Sequence, residues 1–94
     1  MLFMVIETFR EGNPLPAYRH LRDHGRGLPE GLAYVDSWIT ADLRTCFQLM
    51  RTKDAALLQQ WVLHWQDAGI DFQIVPVVHS ADTREVAAPL LDKA

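Results

Sequence analysis

The order of strand-type and helix-type segments is the feature that most restricts the fold of this chain. Four runs rich in β-branched and aromatic residues, at about 1–9, 32–39, 43–50 and 71–78, are interleaved with helix-type segments at about 14–24 and 54–68. With right-handed crossovers, this order predicts an antiparallel four-stranded sheet with both helices on one face and the first and third strands at its centre. The sequence therefore predicts an α+β, ferredoxin-like βαββαβ fold.

The size and composition of the chain predict one domain. Ninety-four residues with 49% hydrophobic and 22% charged side chains are typical of a single globular unit. We expect residues 1–79 to form the βαββαβ domain and residues 80–94 a C-terminal tail or short helix. Cys46 is the single cysteine, so no intrachain disulfide can form, and a reducing, cytoplasmic location is expected.

Charge and hydropathy argue against two classes of partner. The net charge of −3 disfavours nucleic acid, and the longest apolar run, residues 1–6, is far too short to cross a bilayer. We therefore expect neither a nucleic-acid nor a membrane partner.

Strand alternation divides the sheet residues into two sets, and we predict that the small or apolar set faces the helices. That set is Leu2, Met4, Ile6, Ala33, Val35, Ser37, Ile39, Leu43, Thr45, Phe47 and Leu49. The other set is predicted to form the uncovered face: Phe3, Val5, Glu7, Phe9, Leu32, Tyr34, Asp36, Trp38, Arg44, Cys46, Gln48 and Met50. A three-residue hairpin loop, 40–42, would place Asp36 near Cys46, Tyr34 near Gln48 and Trp38 near Arg44.

The predicted uncovered face is too apolar for the surface of a monomer. Burying one patch against its own copy by twofold pairing is the commonest solution, and two such sheets face to face form a barrel. We therefore expect a homodimer of the dimeric α/β-barrel type.

Four strings carry a resemblance to a known family: MLFMVIETF, LPEGLAYVDSW, CFQLM and IVPVV. They make the chain similar to the bacterial family called domain of unknown function 3303, over most of its length from Met1 to about Ser80. The resemblance implies a dimeric α/β barrel. It implies no activity, because that family has none established and fold does not carry function.

Glu7, Asp36, Tyr34, Gln48 and Cys46, with Trp38 as an aromatic wall, have the composition of a small-molecule site in the barrel cavity. Two carboxyls in one apolar cavity, Glu7 and Asp36, would be candidates for acid and base chemistry. The alternative is that both acids make interface hydrogen bonds or ion pairs, for example with Arg44.

For the histidines of the first helix and for Cys46, the sequence favours structural roles over chemical ones. His20 and His24 have the i, i+4 spacing of a metal-ligating pair, but no HExxH glutamate accompanies them, so a solvated pair is expected and no metal is predicted. Cys46 reads as a small buried hydrophobe, with a reactive thiol as the alternative. No cofactor motif is present.

Two functions remain open from the sequence. The first is a homodimer that binds a small, partly apolar ligand in its cavity. The second is a cofactor-independent isomerase, lyase or monooxygenase-like enzyme, with Glu7 or Asp36 as acid or base and Tyr34 or Gln48 steadying an oxyanion.

Overall fold

The structure is a computed structural model and describes residues 1–93. Its strands are β1 (Leu2–Phe9), β2 (Ala33–Ile39), β3 (Thr45–Arg51) and β4 (Ile70–Val77). Its helices are α1 (Leu15–His24), α2 (Ala56–His64) and α3 (Ser80–Ala87), with short 3-10 turns at Arg10–Gly12 and Ala88–Leu90. The strands form one antiparallel sheet in the order β2-β3-β1-β4. The α+β, ferredoxin-like fold is therefore confirmed, with β1 and β3 at the centre.

Local side-chain chemistry sets the ends of the first two helices. The Asn13 side-chain oxygen accepts the Leu15 N–H at 3.1 Å, and the Asp54 carboxylate accepts the Ala56 N–H at 3.0 Å. Gly25 ends α1 with a φ of 68° and an N–H that donates to the Leu21 carbonyl. Helix α2 is shorter than expected, since its regular part ends at His64, short of residue 68.

Helix α3 extends the molecule. The described chain measures 55 × 32 × 17 Å and has a radius of gyration of 16.1 Å, whereas a compact chain of this length has about 12 Å. Val86, Leu90 and Leu91 in and after α3 are 75%, 61% and 77% exposed. We call residues 78–91 the C-terminal arm, and these three apolar side chains pack little against the rest of the chain.

The prediction of which sheet face carries the helices is wrong for β1 and β3, although it holds for Ser37 and Ile39 of β2 on the helix face and for Asp36 and Trp38 on the open face. Phe3, Val5, Phe9, Cys46 and Met50 are buried, together with the polar Glu7 and Gln48. Their alternate neighbours, Leu2, Met4 and Ile6 on β1 and Phe47 and Leu49 on β3, are only half-buried. These buried side chains fill the space beneath the helices, where Leu58, Trp61 and Trp65 meet them.

The predicted pairing of β2 with β3 is also wrong, because β2 contains a β-bulge. Tyr34 pairs with Met50, but after the bulge Asp36 pairs with Leu49 and Trp38 with Phe47. The extra residue is Val35, and it reverses the alternation of the strand. Tyr34 and Ser37 consequently share the helix face, while Asp36 and Trp38 lie on the open face.

The hairpin loop is longer than the predicted 40–42. Strand β3 begins at Thr45. Leu43 precedes it with a φ of 65°, in the left-handed region that residues other than glycine rarely adopt. Asp42 holds this turn, since its carboxylate accepts hydrogen bonds from the Thr40 hydroxyl at 2.6 Å and from the Arg44 N–H at 3.2 Å. Among residues 1–93, no helix is long and apolar enough to cross a membrane.

Candidate functional site

A cavity of about 230 Å³ lies between the helices and the helix face of the sheet. It exists because α1 buries one residue, the small Ala17, and so does not fill the space above the sheet. Aromatic and aliphatic side chains supply most of its walls, and polar groups come from β1, β2, β3 and the loop after α1. The lining residues are Phe9, Ala17, Tyr18, Leu21, Ile39, Trp61, Trp65 and Ile70, with the polar or sulfur-bearing Glu7, Arg26, Ser37, Cys46 and Gln48.

Glu7 is the acid at the floor of this cavity. It lies on central strand β1 between Cys46 of β3 and Phe72 of β4, and it is only 6% exposed. Its Oε2 atom has no hydrogen-bond partner among residues 1–93. Burial raises the pKa of Glu7 from 4.5 to about 7, while the neighbouring Cys46 thiol and the Arg26 charge oppose part of that rise. Protonated and ionised forms of Glu7 therefore coexist near neutral pH.

Cys46 is a protonated thiol at ordinary pH. Burial raises its pKa to about 12, and the adjacent Glu7 carboxylate adds to the rise because two negative charges would otherwise be close together. Nucleophilic chemistry needs a thiolate, which this environment suppresses. The structure thus favours the interpretation of Cys46 as a small buried side chain.

The loop after α1 closes one side of the cavity through Arg26. Both cavity indoles donate to the Arg26 carbonyl oxygen, Trp61 at 2.9 Å and Trp65 at 3.0 Å. The Arg26 guanidinium carbon lies 3.9 Å from the centroid of the Tyr34 ring, a cation–π contact. Helix α2 therefore fixes the backbone of this loop, and Tyr34 holds its positive charge at the cavity.

Three other polar side chains at or beside the cavity have hydrogen-bond partners within the protein. The Gln48 amide donates to the Met50 sulfur at 3.3 Å. The Tyr34 and Ser37 hydroxyls are 2.6 Å apart and share a hydrogen bond. This last contact depends on the bulge, which brings residues 34 and 37 to the same face of β2. Glu7 Oε2, in contrast, is a fully buried acceptor of the cavity without a partner in the described chain.

The structure brings together three of the predicted site residues. Glu7, Cys46 and Gln48 line the cavity, and Tyr34 lies beside it through Ser37 and Arg26. Asp36 and Trp38 lie on the opposite face of the sheet, paired with Leu49 and Phe47. The predicted carboxylate pair of Glu7 and Asp36 is therefore wrong, because the sheet separates the two acids. The cavity also lies within a protomer, under its helices, and not between two sheets.

Several cavity residues were not anticipated from the sequence. Trp61 and Trp65 have the spacing of a core stripe and are buried, but they also line the cavity. Arg26 lies in the glycine-rich loop that follows α1. The sequence carries no local signal for its role, because two indole donors 35 and 39 residues away position it.

The histidines of α1 meet a third histidine from α2. The His20 ring centroid is 4.8 Å from that of His24, 4.9 Å from His64 and 4.5 Å from Trp65. The expectation of a simple solvated pair is thus incomplete, since His20 and His64 each have a buried Nε2 atom. Nevertheless, in the described range 1–93 no group of three His, Cys, Asp or Glu side chains is arranged to hold a metal ion.

Comparison with known proteins agrees with the resemblance found in the sequence. The model of one family, described as domain of unknown function (DUF3303), matches residues 1–91. Neither the curated proteins nor the solved structures contain a match to the chain. The family match covers nearly the whole chain, and the protein therefore belongs to the DUF3303 family.

Proposed function

We propose that each protomer of this protein binds a small, mostly apolar molecule in the cavity between its helices and its sheet. One observation carries the proposal: a cavity of about 230 Å³ with aromatic walls encloses a buried carboxyl whose Oε2 lacks a partner within residues 1–93. Apolar walls with a few placed polar groups are the usual composition of a small-molecule site.

The volume indicates the size of the ligand. An engineered apolar cavity of about 150 Å³ is large enough to bind benzene. A cavity of about 230 Å³ therefore suits one ring with one or two substituents. It is below the range of about 300–1,000 Å³ typical of pockets for drug-sized molecules.

Tryptophan fluorescence with toluene as the probe tests this proposal. Of the three tryptophans, Trp61 and Trp65 line the cavity and Trp38 does not. In a Trp38→Phe background, toluene should produce a saturable change in emission. Substituting Ala17→Leu should fill the cavity and abolish the change, whereas the control Ala56→Leu, exposed on α2, should leave it intact. A linear response without saturation, equal in all three proteins, would contradict the proposal.

We also propose that the protein is a homodimer that pairs through the open face of the sheet. Half-buried or exposed apolar side chains cover this face in one protomer: Leu2, Met4, Ile6, Trp38, Phe47, Leu49, Val75 and Val77. A sheet face exposed to water is normally polar. The C-terminal arm supports the same assembly, because its apolar side chains need a surface that their own protomer does not offer.

Light scattering at micromolar concentration tests the dimer. The expected mass is about twice the 10.7 kDa of the chain. Phe47→Lys, in the middle of the open face, should shift the mass toward that of a monomer. The control Leu63→Lys, at a position 64% exposed on α2, should leave the dimer intact. A monomer for the unaltered protein, or equal effects of the two substitutions, would reject this interface.

An enzymatic function is the second candidate, and the pKa of Glu7 is what favours it. General acid and base catalysis is most efficient when the pKa of the catalytic group lies near the working pH. Burial raises the pKa of Glu7 to about 7, which meets this condition. Phenylacetone, a single-ring ketone with acidic C–H bonds, is a suitable probe. An enzyme of this kind would speed its deuterium exchange in heavy water, and Glu7→Gln would abolish the effect. Exchange at the rate of buffer alone would remove this candidate.

A further inference from the structure

We infer that the cavity selects an uncharged molecule carrying a hydroxyl group, such as a phenol or an aryl alcohol, whose O–H donates a hydrogen bond to Glu7. This inference rests on the proposed ligand-binding function and specifies its ligand class. It follows from the hydrogen-bonding state and the charges of the groups around the cavity.

The hydrogen-bonding state of Glu7 indicates a donor on the ligand. Glu7 is 6% exposed and faces the cavity, and within the described chain its Oε2 has no partner. A buried acceptor without a partner is unfavourable, so a ligand that supplies a donor recovers the interaction. Ser37 does not compete for this role, because its hydroxyl is already engaged with Tyr34 at 2.6 Å.

The charges around the cavity favour a neutral ligand. Glu7 and Arg26 contribute one carboxyl and one guanidinium to the lining, and the Arg26 charge acts on Glu7. A ligand carboxylate would add a second negative charge beside the ionised form of Glu7. A ligand ammonium would enter the field of Arg26 and lose its hydration among apolar walls. A hydroxyl provides the donor without either cost.

The cavity walls indicate what the rest of the ligand is. Trp61, Trp65, Phe9 and Ile70 present aromatic and aliphatic surface, and the buried tryptophans are held in place by their hydrogen bonds to the Arg26 carbonyl. A flat ring packs against such rigid aromatic surfaces without ordering new side chains. One aromatic ring with one hydroxyl therefore satisfies the volume, the walls and Glu7 together.

Four fluorinated probes of similar size, followed by fluorine NMR, test the inference on the unaltered protein. They are 4-fluorophenol, 4-fluorotoluene, 4-fluorobenzoate and 4-fluorobenzylamine. We expect 4-fluorophenol to bind at least tenfold more tightly than 4-fluorotoluene, and the two charged probes to bind more weakly than either. Tighter binding of the benzoate or the benzylamine would overturn the inference in favour of an anion or a cation site.

The substitution Glu7→Met, which keeps the length of the side chain and removes its oxygens, tests the role of Glu7. The affinity for 4-fluorophenol should fall at least tenfold, to that for 4-fluorotoluene, whose own affinity should not fall. If Glu7→Met does not fold, the comparison of the four probes on the unaltered protein still tests the preference for a hydroxyl group. Equal binding of 4-fluorophenol and 4-fluorotoluene would refute the hydroxyl preference and leave the ligand-binding proposal standing. Failure of all four probes to bind would refute both.

Discussion

Replacing Glu7 with glutamine should remove a pH-dependent contribution to the stability of the fold. Burial raises the pKa of Glu7 from 4.5 to about 7, so between these pH values the folded protein holds a proton that the unfolded chain releases. The stability due to this proton is complete below pH 4.5 and is lost as the pH rises through about 7. The difference between the two pKa values corresponds to about 3 kcal/mol in the free energy of unfolding.

Urea denaturation followed by tryptophan fluorescence, at fixed protein concentration and from pH 4.5 to 8.5, measures this contribution. We expect the unfolding free energy of Glu7→Gln, minus that of the unaltered protein, to rise by about 3 kcal/mol over this range. The difference should level off above the pKa of Glu7. Glu85→Gln, an exposed site on α3, is the matched control and should show a constant difference.

His20 titrates in the same range with the opposite effect. Burial, assisted by the charges of His64 and His24, lowers its pKa below 6.5, so its contribution to stability is lost as the pH falls through that folded value. The histidine is present in both proteins, and its effect cancels in the difference. Parallel pH profiles for Glu7→Gln and the unaltered protein would refute the assignment of Glu7 as a buried proton-binding group, and with it the enzymatic candidate.

Two further pairs of substitutions test the packing. Trp61 is 2% exposed, and Trp61→Ala should lower the unfolding free energy by about 3–5 kcal/mol. Trp38 is 50% exposed, and Trp38→Ala should chiefly weaken association, as measured by light scattering. Equal losses of stability in both variants, with unchanged association, would contradict the assigned faces of the sheet. Gly25→Ala and Gly27→Ala each place a side chain at a φ of 68°, but only the second brings its Cβ against the His64 ring. Gly27→Ala should therefore lower the melting temperature further, and equal losses would show that the ring simply moves aside.

The order of elements could be predicted from the sequence because it depends on local patterns. The strand runs, the helix caps Asn13 and Asp54, and the helix end at Gly25 are all signals within a few residues of each other. Short loops and crossover handedness then leave few topologies. Glu7 is the one acidic residue of β1, so the sequence singles it out as a site residue, but alternation assigns it to the wrong face of the sheet.

The face of β1 that packs against the helices could not be predicted, because both faces of this strand are apolar. Leu2, Met4 and Ile6 on one side and Phe3 and Val5 on the other give alternation no contrast to use. The polar side chains of Glu7 and Gln48 favoured the uncovered face, but both are buried under the helices. The cavity that surrounds them depends on the small volume of Ala17 and on contacts distant in sequence, such as those of Arg26.

The bulge at Val35 also has a consequence for aggregation. It lies on β2, an edge strand, where a row of unpaired N–H and C=O groups would otherwise be a template for a strand from another chain. The extra residue breaks the regular spacing of those groups. On the other edge, β4 carries Pro76, which has no N–H to donate. Each edge therefore resists the continuous growth of a sheet from copy to copy, which leaves the apolar open face as the surface for the proposed pairing of two copies.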